Sequence, residues 1–339
     1  MTKQELIRTI MGKKIDRRDF MKKAALGVAG IFIIGVKAFS NTFEKIQYNL
    51  TTNGTGFSPS ALTKTRRNAQ PVVRFGMFTD LHYARRTPAG DRFYKDSITK
   101  AGTAMEEFKK QPMDFIIELG DFKDQGPKPS KDETLSFLKE IEASIQSYGI
   151  PFYHVLGNHD MDSLSKSDFL SNTKNPRGAD GKNYYSYKVK GIKFIVLDAN
   201  YNADFSDYDK GNFNWTVANV PQHELDWLQK ELEDGDGPVV VFIHQLLDNK
   251  GGLYKGLYVR NADAVNRILT GSKRVLAVIQ GHHHKGCYST QDNIHYFTMP
   301  GMITDPIPAN SYAIVDIMGD GNIRINGVGN CPDKMMQKL

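Results

Sequence analysis

Short apolar runs rich in β-branched and aromatic residues recur along this chain, and several of them end directly in Asp, Asn or His. The runs have the composition and length of buried β-strands. The polar clusters that follow them are Asp80-Leu81-His82, Gly120-Asp121, Gly157-Asn158-His159-Asp160, His244 and Gly281-His282-His283-His284. The sequence therefore predicts a sheet fold that collects carboxylate, amide and imidazole groups at the ends of its strands.

Strand-type runs alternate with amphipathic helical segments from residue 71 onward. We predict strands at residues 72–79, 115–119, 152–156, 184–189, 193–198, 239–244, 275–280, 295–299, 312–318 and 322–327. Helices are predicted at 93–110, after the capping box Ser130-Lys131-Asp132-Glu133, at 221–233 and at 262–270, where Gly271 ends the helix. This alternation, followed by a strand-rich end, indicates one layered α/β domain at 71–339.

Residues 1–40 have the organisation of an export signal. A basic stretch contains Arg17-Arg18 followed by Phe20, a mostly apolar run covers 24–36, and Ala38-Phe39-Ser40 forms a small-x-small cleavage pattern. The apolar run is shorter than the ~20 residues of a membrane-spanning helix, so no stable span is expected in the mature protein. The Arg pair resembles a twin-arginine signal, which implies the twin-arginine export machinery as a partner and a periplasmic or secreted location. A general secretory signal and an uncleaved anchor are the alternatives.

The formal net charge of +6 belongs to the N-terminus. Residues 1–40 carry nine Lys and Arg against three Asp and Glu, which leaves 35 basic and 35 acidic residues in the rest of the chain. That remainder is neutral, so a nucleic-acid polymer is not an expected partner. Residues 41–70 are rich in Thr, Ser, Asn and Gly and predict a flexible leader. Cys287 and Cys331 could pair in an oxidising compartment, although two thiols alone specify little.

The polar clusters contain the ligand types of a site for two divalent metal ions. Asp80 and His82 are two residues apart, so both can face one ion from an extended chain. The carboxylate of Asp121 can bridge two cations, and the mixture of oxygen and imidazole suits Mn, Fe or Zn better than calcium. The predicted ligands are Asp80, His82, Asp121, Asn158, His244, His282 and His284.

Such a pair of cations predicts the hydrolysis of phosphate esters. Two metals ~3.5–4 Å apart lower the pKa of a shared water and clamp a phosphate, and the resulting hydroxide attacks phosphorus in line. Charge then develops on the leaving oxygen, and His159 is the candidate to donate a proton there. Asp160 is a candidate to orient His159 or another imidazole through a hydrogen bond. His283 points away from its two neighbours and is expected to support the ligands or to face the substrate.

In their order along the chain, these motifs resemble the calcineurin-like metallophosphoesterase family, over about residues 72–300. The resemblance implies a four-layer αββα sandwich of mixed β-sheets flanked by helices, with the metals at strand ends. It also implies His159 as the catalytic histidine. By the family's motif, one metal would be held by Asp80, His82, Asp121 and His284, and the other by Asp121, Asn158, His244 and His282.

A narrower resemblance is to the manganese-dependent ADP-ribose/CDP-alcohol diphosphatases. It is carried by Arg92-Phe93-Tyr94-x-x-Ser97, Gly281-His282-x-His284-x-Gly286-x-Tyr288 and Pro332-Asp333-Lys334-Met335-Met336. One departure is His82, because that group commonly carries Gln at this position. His82 restores the ligand of the wider family and weakens any inference about the preferred metal.

The leading functional hypothesis is an exported enzyme that hydrolyses a phosphodiester or pyrophosphate bond in a small molecule, for example a nucleotide-diphospho compound. Arg85, Arg86 and Arg92 could hold a second phosphate, or could form only a solvated basic loop. Tyr94 could stack on a base, or could simply pack at a helix start. A phosphomonoesterase with the same metals is the alternative, and a binding module without turnover is a third reading.

Overall fold

The computed structural model describes residues 70–176, 178–248, 253 and 255–339. The predicted export signal and almost all of the predicted leader lie outside these residues. Twelve strands are described, and we number them in chain order: β1 Val73–Phe78, β2 Phe115–Glu118, β3 Phe152–His154, β4 Tyr185–Val189, β5 Ile192–Val196, β6 Val239–Ile243, β7 Val275–Gln280, β8 Cys287–Gln291, β9 Ile294–Thr298, β10 Ser311–Ile317, β11 Ile323–Gly329 and β12 Lys334–Met336.

The strands form two mixed sheets of six strands each, in the orders β12-β11-β10-β1-β2-β3 and β4-β5-β6-β7-β9-β8. Strands β1, β2 and β3 are parallel, as are β5, β6, β7 and β9. The sheets face each other through aromatic rings, because Phe75 of β1 contacts Phe194 and Phe242 of the other sheet at centroid distances of 5.9 and 5.8 Å. These edge-to-face contacts are a favourable geometry for buried rings.

Helices cover the outer face of each sheet. They are α1 Ser97–Lys109, α2 Lys131–Gln146, α3 Lys166–Leu170, α4 Gln222–Glu233 and α5 Ala262–Ser272. Helix α1 buries Met105 and Phe108 in the core that contains β1 and β2. Helices α4 and α5 bury Leu228 and Val265 in a second core with β6 and β7. The predicted αββα sandwich of mixed sheets is therefore confirmed.

The boundaries follow local chemistry. Helix α2 begins where predicted, because the Ser130 hydroxyl accepts a hydrogen bond from the Glu133 amide at 3.2 Å. Helix α1 begins later than predicted, after a short 3-10 turn at Tyr94–Asp96. The prediction that Gly271 ends α5 is wrong, since the helix continues to Ser272 and stops at Lys273, which has a left-handed φ of 56°.

A buried charged group connects three of these elements. His154 of β3 lies between Glu118 of β2, at 2.9 Å, and Glu142 of α2, at 3.0 Å. Burial lowers the pKa of His154, but the carboxylates of Glu142 and Glu118 outweigh it and raise that pKa to about 10. The second oxygen of Glu118 accepts the amide of Gly120 at 2.7 Å, so this group also supports the turn after β2.

The two cysteines are free thiols: Cys287 is half-buried and Cys331 is buried. The Cys287 thiol donates to the hydroxyl of Thr298 at 3.3 Å. Among the described helices, none is both long and apolar enough to cross a membrane.

Candidate metal centre

The polar clusters lie on turns that follow β1, β2, β3, β6 and β7. Asp80, His82, Asp121 and His282 all have left-handed backbones, with φ values of 53°, 46°, 55° and 66°. Such conformations cost of the order of 1–3 kcal/mol each for residues other than glycine, and they concentrate at functional sites. The turns also hydrogen-bond one another, because the amide of Asp80 donates to the Gly120 carbonyl at 3.0 Å and that of His82 to the Asp121 carbonyl at 2.8 Å.

Glycines allow these turns to approach closely. Gly120 has a φ of 98°, and a Cβ there would lie 2.5 Å from Nδ1 of His244. A Cβ on Gly157 would collide with both the amide and the carboxylate of Asp121. Gly120 and Gly157, which precede the predicted ligands Asp121 and Asn158, therefore set how near these turns can come to each other.

Asp80, His82 and His284 form the first group of ligand atoms. Oδ1 of Asp80 lies 3.2 Å from Nε2 of His284 and 3.8 Å from Nε2 of His82, and the two imidazole nitrogens are 3.2 Å apart. The other oxygen of Asp80 is used by the protein, since it accepts the Thr79 hydroxyl at 2.7 Å and the His282 amide at 3.1 Å. Oδ1 is therefore the Asp80 oxygen that faces the imidazoles of His284 and His82.

Asp121, His244 and His282 form the second group. Nε2 of His244 lies 3.2 Å from Oδ2 of Asp121 and 3.2 Å from Nδ1 of His282. The same Asp121 oxygen lies 3.5 Å from Nε2 of His82, which belongs to the first group. Nδ1 of His244 donates to the Leu119 carbonyl at 2.7 Å, a contact that fixes the ring and leaves Nε2 facing inward. Asp121 therefore lies between the two groups, in the position of a bridging ligand.

The donor atoms fit a pair of cations. Oδ1 of Asp80 and Oδ1 of Asn158 are buried and have no hydrogen-bond partner. Buried polar atoms without partners are rare because each costs about 1–3 kcal/mol. Facing imidazole nitrogens 3.2 Å apart also require a cation or a proton between them. Six of the seven predicted ligands lie in these two groups, and Asn158 directly precedes His159, whose amide donates to Asp121. The coordination of each stays a prediction.

The buried carboxylates and imidazoles of this centre shift one another's pKa values. Burial raises the pKa of Asp80, but His284 and the neighbouring imidazoles outweigh it and hold that pKa well below its usual value. Burial likewise opposes ionisation of Asp121, and His244, His159 and His82 lower its pKa well below normal. Burial and the nearby His244 lower the pKa of His282 to about 3. Metal ligands bind in the deprotonated state, and these three shifts favour that state. The shift on His244 is opposite: burial lowers its pKa, but the carboxylates of Asp121 and Asp80 outweigh burial and raise it to about 10, so a cation bound there would have to displace a proton.

His159 lies beside the first group, with its ring centroid 4.8 Å from that of His82. Its amide donates to Oδ1 of Asp121 at 2.7 Å, and its ring Nδ1 lies 2.7 Å from Oδ2 of Asp162. Burial lowers the pKa of His159, but the carboxylates of Asp121 and Asp162 raise it to about 9. An imidazole in this state can carry a proton at neutral pH.

The prediction that Asp160 orients His159 or another imidazole is wrong. Its carboxylate accepts backbone amides instead, from Asp121 at 3.1 Å, Phe122 at 3.0 Å and Gly157 at 2.8 Å. The reason is the 3-10 turn at Asn158–Met161, in which residues three apart share a side. That turn places Asp162, which the sequence analysis overlooked, on the side of His159. The spacing of three residues was the signal available.

Asp124 is a second residue that the sequence analysis overlooked. Its Oδ2 lies 3.3 Å from Nδ1 of His82, the usual place for a carboxylate that orients a metal-ligating imidazole. Arg86 lies 3.6 Å from the other oxygen, and it donates to the Gln125 carbonyl at 3.3 Å. The signal in the sequence was a second Asp three residues after Asp121.

The predicted substrate residues differ in burial and in their contacts. Tyr94 is buried, and the guanidinium of Arg86 covers its ring at 4.4 Å, so stacking of a base on that face is blocked. Arg92 is half-buried, and its backbone pairs with Ala89. His283 is half-buried between the two ligands His282 and His284. Contacts of Arg92 and His283 with substrate stay predictions.

Arg85 is unavailable for a phosphate in this conformation, because it pairs with Glu140 at 2.7 Å on the surface. Together with the contacts of Arg86, this favours the reading of that segment as a basic loop rather than a phosphate clamp.

Two face-to-face mixed sheets with paired groups of Asp and His at their strand ends define a dinuclear-metal hydrolase. The family model of calcineurin-like phosphoesterases matches residues 73–286, and the chain belongs to that family. It is a metal-dependent phosphoester hydrolase that uses two divalent metal ions.

Relatives refine this assignment. The chain is similar to a manganese-dependent ADP-ribose/CDP-alcohol diphosphatase of Arabidopsis thaliana, with 26% identity over 297 residues that span 73% of this chain and 92% of the relative. A probable cyclic nucleotide phosphodiesterase of Fibrobacter succinogenes is 24% identical over 63% of this chain and 73% of the relative. The structure is similar to that of a dimetal phosphatase from Danio rerio, with a TM-score of 0.69, 19% identity, and coverage of 80% of this chain and 100% of the other.

Proposed function

We propose that the protein hydrolyses a phosphodiester or pyrophosphate bond in a nucleotide-diphospho compound. The observation that carries the proposal is the carboxylate of Asp121 between two ligand groups, with His159 beside them. The diphosphatase relatives support the choice of bond, since their similarity extends over nearly their whole length.

The metal ions, Asp121 and His159 have different roles in the proposed hydrolysis. When bound, the two metal ions supply Lewis acidity toward the phosphoryl oxygens and a water of lowered pKa. Asp121 fixes the separation of the two ligand groups, and the buried turns exclude other water from the ligand atoms. His159, which is 26% exposed at the side chain, faces the solvent side of the centre, where a leaving group would depart. Its proton can neutralise the charge that develops there.

The test is a substrate comparison with purified protein supplied with Mn, Fe or Zn. ADP-ribose, CDP-choline and bis-p-nitrophenyl phosphate represent the proposed bonds, and p-nitrophenyl phosphate represents monoesters. We expect kcat/KM to be higher for the first three. A preference for the monoester would establish the phosphomonoesterase alternative, and no turnover of any substrate with any of the metals would favour a silent binding module.

Export is part of the proposal. Arg17-Arg18 and the apolar run that follows support a twin-arginine route, which moves folded proteins and so permits metal loading before export. Replacement of both arginines by Lys is expected to retain active enzyme in the cytoplasm, measured by cell fractionation. A general secretory signal would tolerate this change, so unaltered export of the double variant would contradict the twin-arginine proposal.

A further inference from the structure

His159 is held at three separate points. Its amide donates to Asp121, its ring Nδ1 lies 2.7 Å from Oδ2 of Asp162, and its carbonyl accepts a hydrogen bond from Nζ of Lys123. A residue whose backbone donor, backbone acceptor and ring are all fixed has one orientation of its remaining ring nitrogen. Nε2 of His159 is that nitrogen.

Lys123 makes this arrangement unusual. It is fully buried, and the carboxylates of Asp162, Asp160, Asp124 and Asp121 surround it. Burying an ammonium group is costly unless charges and hydrogen bonds compensate it. Here the ammonium group joins the turn after β2 to the turn after β3 through the His159 carbonyl. The hydrogen bond that helps to compensate the burial of Lys123 is therefore made to the backbone carbonyl of His159, the proposed proton donor.

The nearby carboxylates have separate partners. Asp124 lies against Nδ1 of His82, and Asp160 accepts backbone amides. Asp162 is the carboxylate within hydrogen-bond distance of the His159 ring. Asp121 accepts the backbone amide of His159 instead. Because an ionised carboxylate only accepts hydrogen bonds, Nδ1 of His159 carries a hydrogen and donates a hydrogen bond to Asp162.

We propose that Asp162 is a positioning residue that holds His159 so that Nε2 gives its proton to the leaving oxygen, and that Lys123 fixes the backbone for the same purpose. This inference rests on the proposed hydrolytic function. In the reaction, a water oxygen forms a bond to phosphorus while the bond from phosphorus to the leaving oxygen breaks. The leaving oxygen takes the proton from Nε2, and a proton released by the water restores His159.

The test compares two aryl esters of one nucleoside monophosphate. The p-nitrophenyl ester releases p-nitrophenolate, a stable anion that needs no proton, whereas the phenyl ester releases phenoxide, whose conjugate acid resembles the Tyr side chain, with a pKa of about 10. General acid catalysis contributes about 10²–10⁴-fold. We expect Asp162→Asn to lower kcat for the phenyl ester by about 10–100-fold, with little change in KM and less than about threefold change for the p-nitrophenyl ester. An equal loss for both esters, or no loss, would overturn the inference.

A matched control is Asp168→Asn in helix α3. The Asp168 carboxylate accepts the backbone amide of Ser165 at 3.1 Å and pairs with Lys131 on the surface. This variant is expected to treat the two esters as the wild type does. Metal content and thermal unfolding are measured for all variants, so a loss caused by unfolding or by missing metal is recognised separately.

A double-variant comparison gives an independent readout. In a His159→Asn background, the additional change Asp162→Asn is expected to reduce turnover of the phenyl ester by less than about twofold, because residues that act together are not additive. A further loss as large as in the wild-type background would mean that Asp162 does not act through His159. In ¹⁵N spectra of labelled histidine, Asp162→Asn is expected to shift the Nδ1 signal of His159, and an unchanged signal contradicts the contact.

The outcomes separate this inference from the proposed function. If the wild-type protein hydrolyses neither ester with any metal, the proposed function fails. If the wild type is active and Asp162→Asn shows no dependence on the leaving group, only the assignment of Asp162 fails.

Discussion

Replacing Asp121 by Asn tests the two-metal arrangement most directly. The substitution removes the negative charge between the two ligand groups, 3.2 Å from His244 and 3.5 Å from His82. Asn retains a side-chain oxygen that can accept the hydrogen bond from the His159 amide, which in the wild type goes to Oδ1 of Asp121 at 2.7 Å. We therefore expect the fold to persist while metal binding and turnover fall.

The size of the effect follows from the position of Asp121 between both groups. Loss of a residue that supports one metal ligand typically costs about 10–100-fold in affinity or activity. One such factor for each of two groups gives about 10²–10⁴-fold in kcat/KM, which corresponds to about 3–5 kcal/mol. The assay is hydrolysis of bis-p-nitrophenyl phosphate at saturating Mn, with bound metal counted by elemental analysis.

Asp114→Asn is the control for this experiment. Asp114 precedes β2 at the end opposite Asp121, where its carboxylate pairs with Lys190 at 2.7 Å. Its activity is expected to remain within about twofold of the wild type, because surface ion pairs contribute only about 0–1 kcal/mol. Activity of Asp121→Asn within threefold of the wild type, with two metals still bound, would refute the bridging assignment.

Three further predictions concern stability and metal. Gly157→Ala is expected to lower the free energy of unfolding by about 1–3 kcal/mol and to abolish turnover, because its Cβ collides with Asp121. Gly271→Ala, inside helix α5 with open space around it, is the control in chemical denaturation and is expected not to lower the free energy of unfolding. His154 has a pKa of about 10 in the folded protein against about 6.5 in the unfolded chain, so its stabilising contribution is complete below pH 6.5 and is lost as the pH rises toward 10. His154→Gln should therefore flatten the pH dependence of the free energy of unfolding between these values, and an unchanged curve would contradict this. Chelation by EDTA is expected to abolish activity and lower the Tm, with Mn restoring both; a Tm that does not respond to metal would contradict binding to the folded state.

Much of the fold was predictable because burial imposes periodic patterns on sequence. Strand β6, a run of Val, Phe and Ile, and helix α2, with its Ser130 cap, lie where the pattern places them. The missed elements lack that pattern. Strand β8 is a half-exposed edge strand, and α3 has five residues, so neither has a full hydrophobic period.

The sequence was sufficient to predict which residue types lie at the strand ends of the candidate site. It was less informative about the orientation of their side chains. That Asp80, His82 and Asp121 approach one another depends on left-handed turns, which non-glycine residues adopt only when the surrounding fold imposes them. The choice between Asp160 and Asp162 as the partner of His159 depended on a 3-10 turn rather than on sequence distance. Tyr94 has a sequence context typical of a binding residue, yet Arg86 covers it.

The left-handed turns at Asp80, His82, Asp121 and His282 have a consequence for metal choice. The packed sheets and the hydrogen bonds between the turns hold this backbone geometry, so the cage has little freedom to shrink or expand around a bound ion. Ions whose radius does not match the spacing of the ligand atoms would then bind less tightly. The preference among divalent metals would depend on ionic radius more than on the charge that the ligands provide.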